Sequence, residues 1–267
     1  MMTPNTKRDS LGDFLAFVSD ILPHSYAQRF QDLWFLWETG FRRTGYFVEF
    51  GALNGRDFSN TYTLEKSGWH GIVAEPHPDC EASIRAHRTC NISTKCVYSR
   101  SGETVTFNIV KGRPALSSVG HLTVQDDKQA LRSNFRAIEV PTISLNDLLS
   151  GFKAPSVVDC LSIDTEGSEP EILEAYDFQK RPINCICVEH NGVSRDRLFD
   201  LLTRNGYRRK FEDVSGHDDW YVLEGAYPDW QASGAEAIKA EMRKLPRFET
   251  VLTEREKVLA EAMAAHG

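Results

Sequence analysis

The sequence predicts an α/β fold, with a mostly parallel sheet and helices on both faces. Three observations carry this reading. From residue 46 to 223, short β-branched and aromatic runs alternate with segments of helical period. Two runs, Ile72-Val73-Ala74 and Ile183 to Val188, are almost continuously apolar, as strands buried on both faces are. The run Tyr46-Phe47-Val48 passes through Glu49-Phe50-Gly51 into an Asn54-Gly55 turn and then a helix pattern. Strand, glycine turn and helix in that order form a ligand-cradling unit.

The elements follow in order. Leu11, Phe14, Leu15, Val18, Ile21 and Leu22 recur at helical spacing until Pro23 stops the run, and Phe30, Leu33, Trp34 and Trp37 mark a second helix. Residues 1–44 therefore read as an N-terminal helical extension, packing on the domain or on a partner copy. Strands are predicted at 46–50, 71–75, 92–98, 104–110, 157–163, 183–189, 207–212 and 219–223. Helices are predicted at 57–67, 79–87, 144–150, 169–178 and 194–205. Residues 111–137 break the alternation with Gly112, Pro114 and two adjacent serines, and read as a surface excursion or a lid. The α/β domain spans 45–228. Residues 229–267, charged and alanine-rich, read as a peripheral C-terminal helical extension.

Composition narrows the partners. A net charge of −7 disfavours bulk nucleic-acid binding, which needs a basic footprint. No apolar run approaches the ~20 residues that span a bilayer, and the polar start carries no signal-type core, so a cytoplasmic location is expected. Six cysteines without a C-x-x-C pair read as buried, reduced thiols rather than a zinc site.

The first glycine turn discriminates between ligands. Gly51-Ala52-Leu53-Asn54-Gly55 has leucine where a dinucleotide motif needs its second glycine, and no Gly-Lys-Ser/Thr follows, which disfavours NAD and a P-loop. Glu49 repels a pyrophosphate and attracts an ammonium or sulfonium. S-adenosylmethionine has both, and Ser59, Asn60 and Thr61 at a helix N-terminus suit its carboxylate. Glu75 ends the second strand 24 positions beyond Gly51, where an acid that binds ribose hydroxyls is expected. Ser99, after the third strand, is a candidate adenine contact.

The segments YFVEFGALNGRDFSNTYTLEKSGWHGIVAEPHPD and LSIDTEGSEPEIL resemble the FkbM family of S-adenosylmethionine-dependent methyltransferases, over residues 45 to 223. The resemblance implies a Rossmann-like sheet closed by an antiparallel strand, and methyl transfer to oxygen, often on sugars or natural products. On this reading the cofactor set is Glu49, Gly51, Ala52, Gly55, Ser59, Asn60, Thr61, Glu75, Pro76, Ser99 and Asp164.

The strand Val157–Ile163 ends at Asp164-Thr165-Glu166-Gly167-Ser168-Glu169, and strand ends are where open α/β sheets bind ligands. Asp164 is thus the candidate facing the transferred methyl. The next strand ends in Glu189-His190-Asn191, which makes His190 or Asp164 the candidate general base. Acceptor contacts are placed at Glu166, Asn191, Ser117, Ser118 and His217. Asp164, Glu189 and His190 are an alternative set for a divalent metal, ranked below metal-free catalysis. An NAD-dependent oxidoreductase and a binding module without turnover are the competing readings.

Overall fold

The computed structural model describes residues 7–120, 129–190 and 192–266. The apolar runs form a seven-stranded sheet of β1 (Tyr46–Phe50), β2 (His70–Ala74), β3 (Asn91–Ser93), β8 (Val158–Ile163), β9 (Ile183–Glu189), β10 (Tyr207–Lys210) and β11 (Asp218–Leu223). Their order across the sheet is β10-β11-β9-β8-β1-β2-β3. All neighbours are parallel except β11, which runs antiparallel to both β9 and β10.

Side-chain alternation along these strands builds two cores. Phe47, Cys160, Cys185, Cys187 and Trp220 face one way, onto α1 (Leu11–Ile21) and α2 (Gln31–Glu38). Trp34 of α2 stacks on Trp220 with centroids 5.2 Å apart. Val48, Leu161, Ile186 and Tyr221 face the other way, onto α5 (Leu145–Gly151), α6 (Glu169–Glu174) and α7 (Arg195–Arg204). The same alternation places Cys185 and Cys187 together as small core hydrophobes, and all six cysteines are free thiols.

The predicted helix 57–67 shortens to α3 (Tyr62–Lys66), because residues 51–61 are held as a loop by side-chain contacts described below. The helix α4 (Glu81–His87) follows β2. The predicted strand 92–98 divides into β3 and β4 (Cys96–Tyr98), which join different sheets.

The segment 111–137 is not simply a surface loop. A second sheet, in the order β4-β7-β5-β6, contains β5 (Thr104–Val110), β6 (Ser118–Val119) and β7 (Phe135–Ser144). The ten-residue β7 was not anticipated. It carries Pro141, which has no N–H and usually argues against a central strand. Here Pro141 sits where β7 changes partner: Phe135 to Pro141 pair with β5, and Thr142 to Ser144 pair with β4.

The terminal segments join the core of the sheet. The domain also holds the short helix α8 (Glu212–Ser215), and in place of one peripheral helix over 229–267 there are α9 (Ala235–Met242) and α10 (Leu252–His266). Arg255 of α10 is buried, and its Nη1 donates to the carbonyls of Ser25 and Ala27, each at 3.1 Å. No helix among the described residues is long and apolar enough to cross a membrane.

Candidate active site

Two adjoining cavities open at the C-terminal edge of the parallel strands, where β-strand carbonyl ends leave loops free to carry function. The first lies between the main sheet and the second sheet. Phe50, Ala74, Cys96, Val97, Phe107 and Val119 give it apolar walls, and Pro114, Ala115 and Ser117 of the excursion close one side. Glu75 lies among these apolar walls, with Asp164 and Glu166 at the side where the second cavity begins. Glu75 Oε2 accepts from Leu53 N at 3.0 Å and its Oε1 from His77 N at 2.9 Å, so the carboxyl is fixed in place. Burial outweighs these two donors and pushes its pKa up to about 7.

The second cavity is polar and acidic. Asn60, Asp57, Glu189 and Asp218 line it, with Gln28 and Gln31 from the N-terminal segment. Gly51, Leu53, Ala115, Asp164 and Glu166 line both cavities, so the two meet there. A third, polar groove continues from Gln28, Gln31 and Asp218 to Arg29, His217 and Glu254.

Local contacts shape this junction. Gly51 has φ +75°, and a Cβ there would overlap the Asp164 carbonyl oxygen, so β1 and β8 approach closely only with glycine. Glu169, wholly buried at the start of α6, accepts from Thr165 N at 2.8 Å and Gly167 N at 3.0 Å. It therefore fixes the turn that presents Asp164 and Glu166, and it faces no acceptor. Arg132 pairs with Glu166 across the cavity wall. Burial, then the charges of Glu166 and Asp218, push Asp164 well above the usual carboxylate range. Burial, then Asp164 and Glu166, do the same to Glu189.

A sequence-family model described as the methyltransferase FkbM domain matches residues 49–209, more than half of the chain. The chain belongs to the FkbM methyltransferase family. No curated protein sequence matches it significantly.

The methyltransferase uses some of the predicted residues differently from the sequence reading. Glu49 lines neither of the two cavities. It is buried, and its carboxylate accepts from Ser59 Oγ at 2.8 Å, Asn60 N at 2.7 Å, Thr61 Oγ1 at 2.6 Å and Arg88 Nη1 at 3.2 Å. Ser59 and Thr61 therefore serve Glu49 and not a ligand carboxylate. Asn60 alone of the three lines a cavity. Gly55 packs its backbone against Ile84 and Arg88, away from both cavities. Ala52 lines the second cavity and Pro76 the first. Ser99 lies outside the cavity lining, and Cys96 and Val97 take the place expected for it.

His190 is also corrected. It follows Glu189 at the strand end, and adjacent strand residues face opposite ways. Glu189 enters the acidic cavity, whereas the His190 ring accepts from Gly192 N at 3.0 Å and stands 3.9 Å from Asp219. Burial lowers its pKa. His190 is therefore neither a cavity base nor part of the carboxylate group.

Ser117 lines the first cavity, while Ser118 is buried within β6, paired to Asn108. His217 lines the third groove. Asn191 lies outside the described residues. Leu53, Phe107, Thr165 and Ser168 line the first cavity without having been anticipated. Their signal in sequence was only proximity to the two motifs, and for Phe107 not even that.

Arg88 decides the shape of the first loop. It is wholly buried between Glu49 and Glu65, 2.6 Å from Glu65 Oε2. Burial pushes the Glu65 carboxyl up, but the Arg88 charge and the Thr89 amide overcome this and hold it down at about 2. The stabilisation is present above the ordinary carboxylate pKa and is lost as pH falls through about 2. Replacing Arg88 with alanine leaves two buried carboxylates without their cation, so a loss of ~3–5 kcal/mol is expected in urea denaturation at neutral pH. A loss under ~1 kcal/mol means the network is not what holds the loop.

Proposed function

We infer that this methyltransferase uses S-adenosylmethionine on a Rossmann-like frame and methylates a hydroxyl oxygen of a small, sugar-like or natural-product-like acceptor. One observation supports this most: an apolar cavity with a fixed acid and an acidic polar cavity meet at Asp164. The donor set fits the cofactor. Apolar walls suit an adenine, Glu75 suits two ribose hydroxyls, and Asp164 and Glu166 suit an ammonium or sulfonium. S-adenosylmethionine supplies, when bound, an electrophilic methyl on a sulfonium, left as a neutral thioether once that methyl has bonded to the acceptor oxygen.

The chain supplies position and proton transfer. Asp164, at the shared wall, accepts a hydrogen bond from the acceptor hydroxyl and aligns its oxygen with the first cavity. The hydroxyl proton passes to a carboxylate of the acidic cavity as the new O–C bond forms. Gln28 and Asp218 line the space suited to a polyhydroxylated ring, and Gln31 Nε2 holds Asp218 in place by donating to its Oδ2 at 2.5 Å. The reading places the acceptor between the N-terminal segment and the strand ends.

Calorimetric titration with S-adenosylhomocysteine tests this. Glu75 must be ionised to accept two ribose hydroxyls, yet the free protein keeps its proton up to about 7. Affinity is therefore expected to fall as pH drops below 7, by up to about tenfold per unit. Glu75→Gln should bind more weakly and lose that dependence. Absence of binding at any pH, or tighter binding of NAD, would sink the reading.

A further inference from the structure

We propose that Asp164, Glu166 and Glu189, with the amide oxygen of Asn60, bind one divalent cation of the magnesium or manganese class. The inference deepens the methyl-transfer reading and rests on it only for the cation's role, not for its binding. One carboxylate oxygen from each of the three acids lies within 4.8 Å of the others. They come from two neighbouring strand ends, so the backbone of β8 and β9 sets their spacing.

Among the described residues Arg132 pairs with Glu166, at one side of this carboxylate group.

Asn60 is an independent observation. It is 9 % exposed and lines the same cavity as the three acids. Its Nδ2 donates to Ser162 Oγ at 2.9 Å, which fixes the amide. Its Oδ1 is buried with no hydrogen-bond partner among the described residues. A buried carbonyl oxygen without a donor is costly, and a hard cation satisfies it.

The donor set is all oxygen, with no thiol or imidazole, which favours magnesium or manganese over zinc. His190 is excluded from it, since its ring stands beside Asp219. The cation would draw the acceptor hydroxyl into its coordination shell at the junction of the two cavities and acidify it. It thereby selects acceptors with a hydroxyl, or adjacent hydroxyls, free to reach it.

The test is titration of the full chain with Mn²⁺ alone, without cofactor or acceptor, followed by the loss of the free-ion electron paramagnetic resonance signal. One ion per chain is expected. Glu189→Gln should weaken binding at least tenfold, with its fold checked by circular dichroism. Asp57→Asn, in the same cavity but outside the group, should bind as the native chain does. No binding up to millimolar Mn²⁺, or equal binding by Glu189→Gln, overturns the proposal. So does equal weakening by Asp57→Asn, which would show diffuse attraction to an acidic cavity. S-adenosylhomocysteine titrations on the same samples keep the outcomes separate. Nucleoside binding without manganese binding ends the cation site alone, and manganese binding without nucleoside binding ends the cofactor reading alone.

Discussion

Replacing Asp164 with alanine is expected to lower turnover by about 10²–10⁴-fold, the span typical of a lost positioned acid–base group. The assay is methyl transfer to whichever member of a panel of hydroxylated sugars and glycosides the native enzyme accepts. Asp164 and Glu166 are the acids that line both cavities, and on the proposed reading the reacting oxygen and the methyl group meet beside Asp164. Stability should move the other way. Burial and the charges of Glu166 and Asp218 disfavour the ionised Asp164, so its removal relieves repulsion. The variant should melt no lower than the native protein and bind S-adenosylhomocysteine within tenfold of it. Turnover within threefold of native, with the nucleoside still bound, would remove Asp164 from the mechanism.

Replacing Gly51 with alanine is expected to be nearly as damaging, through geometry and not chemistry. The residue holds φ +75°, and an added Cβ meets the backbone carbonyl of Asp164, which has no side-chain freedom with which to yield. Left-handed strain costs about 1–2 kcal/mol and overpacking about 1–3 kcal/mol more. The strand end bearing Asp164 must shift, and even a small misplacement at a reacting centre is costly. Urea denaturation should show the destabilisation, and calorimetry should show weakened nucleoside binding. A variant of native stability and affinity would mean that the β1–β8 approach is looser than described.

The sequence was a good guide wherever one local signal decided the outcome. The runs 46–50, 104–110 and 183–189 are strands with those bounds, because β-branched and aromatic residues dominate them. Glu75 and Asp164 line the first cavity, and each could be placed at that edge of the sheet because it follows an apolar strand. Glu49 also ends one, yet its role depends on Arg88, 39 residues away, and no local pattern reports that partner. A cation supplied by the fold took the position that the sequence reading gave to a ligand.

The error at His190 had a readable signal. Glu189 and His190 are neighbours at a strand end, where period-two alternation favours opposite sides for them. β7 was hidden for a different reason. Pro141 argues against a strand interior, and only the change of pairing partner at that residue makes the proline harmless. The second cavity was the least legible part, since Gln28 with Gln31, Leu116 and Asp218 come from three separate stretches of chain.

The central claim is that the cofactor lies between the two sheets with its sulfur at the junction of the two cavities. A crystal structure with S-adenosylhomocysteine bound tests it most directly. The account predicts ribose hydroxyls on the Glu75 carboxylate, the adenine among Val97, Phe107 and Val119, and the sulfur facing Asp164 and the space lined by Glu189. A nucleoside seated instead in the groove of Arg29, His217 and Glu254, or one whose sulfur points away from Asp164, would contradict it.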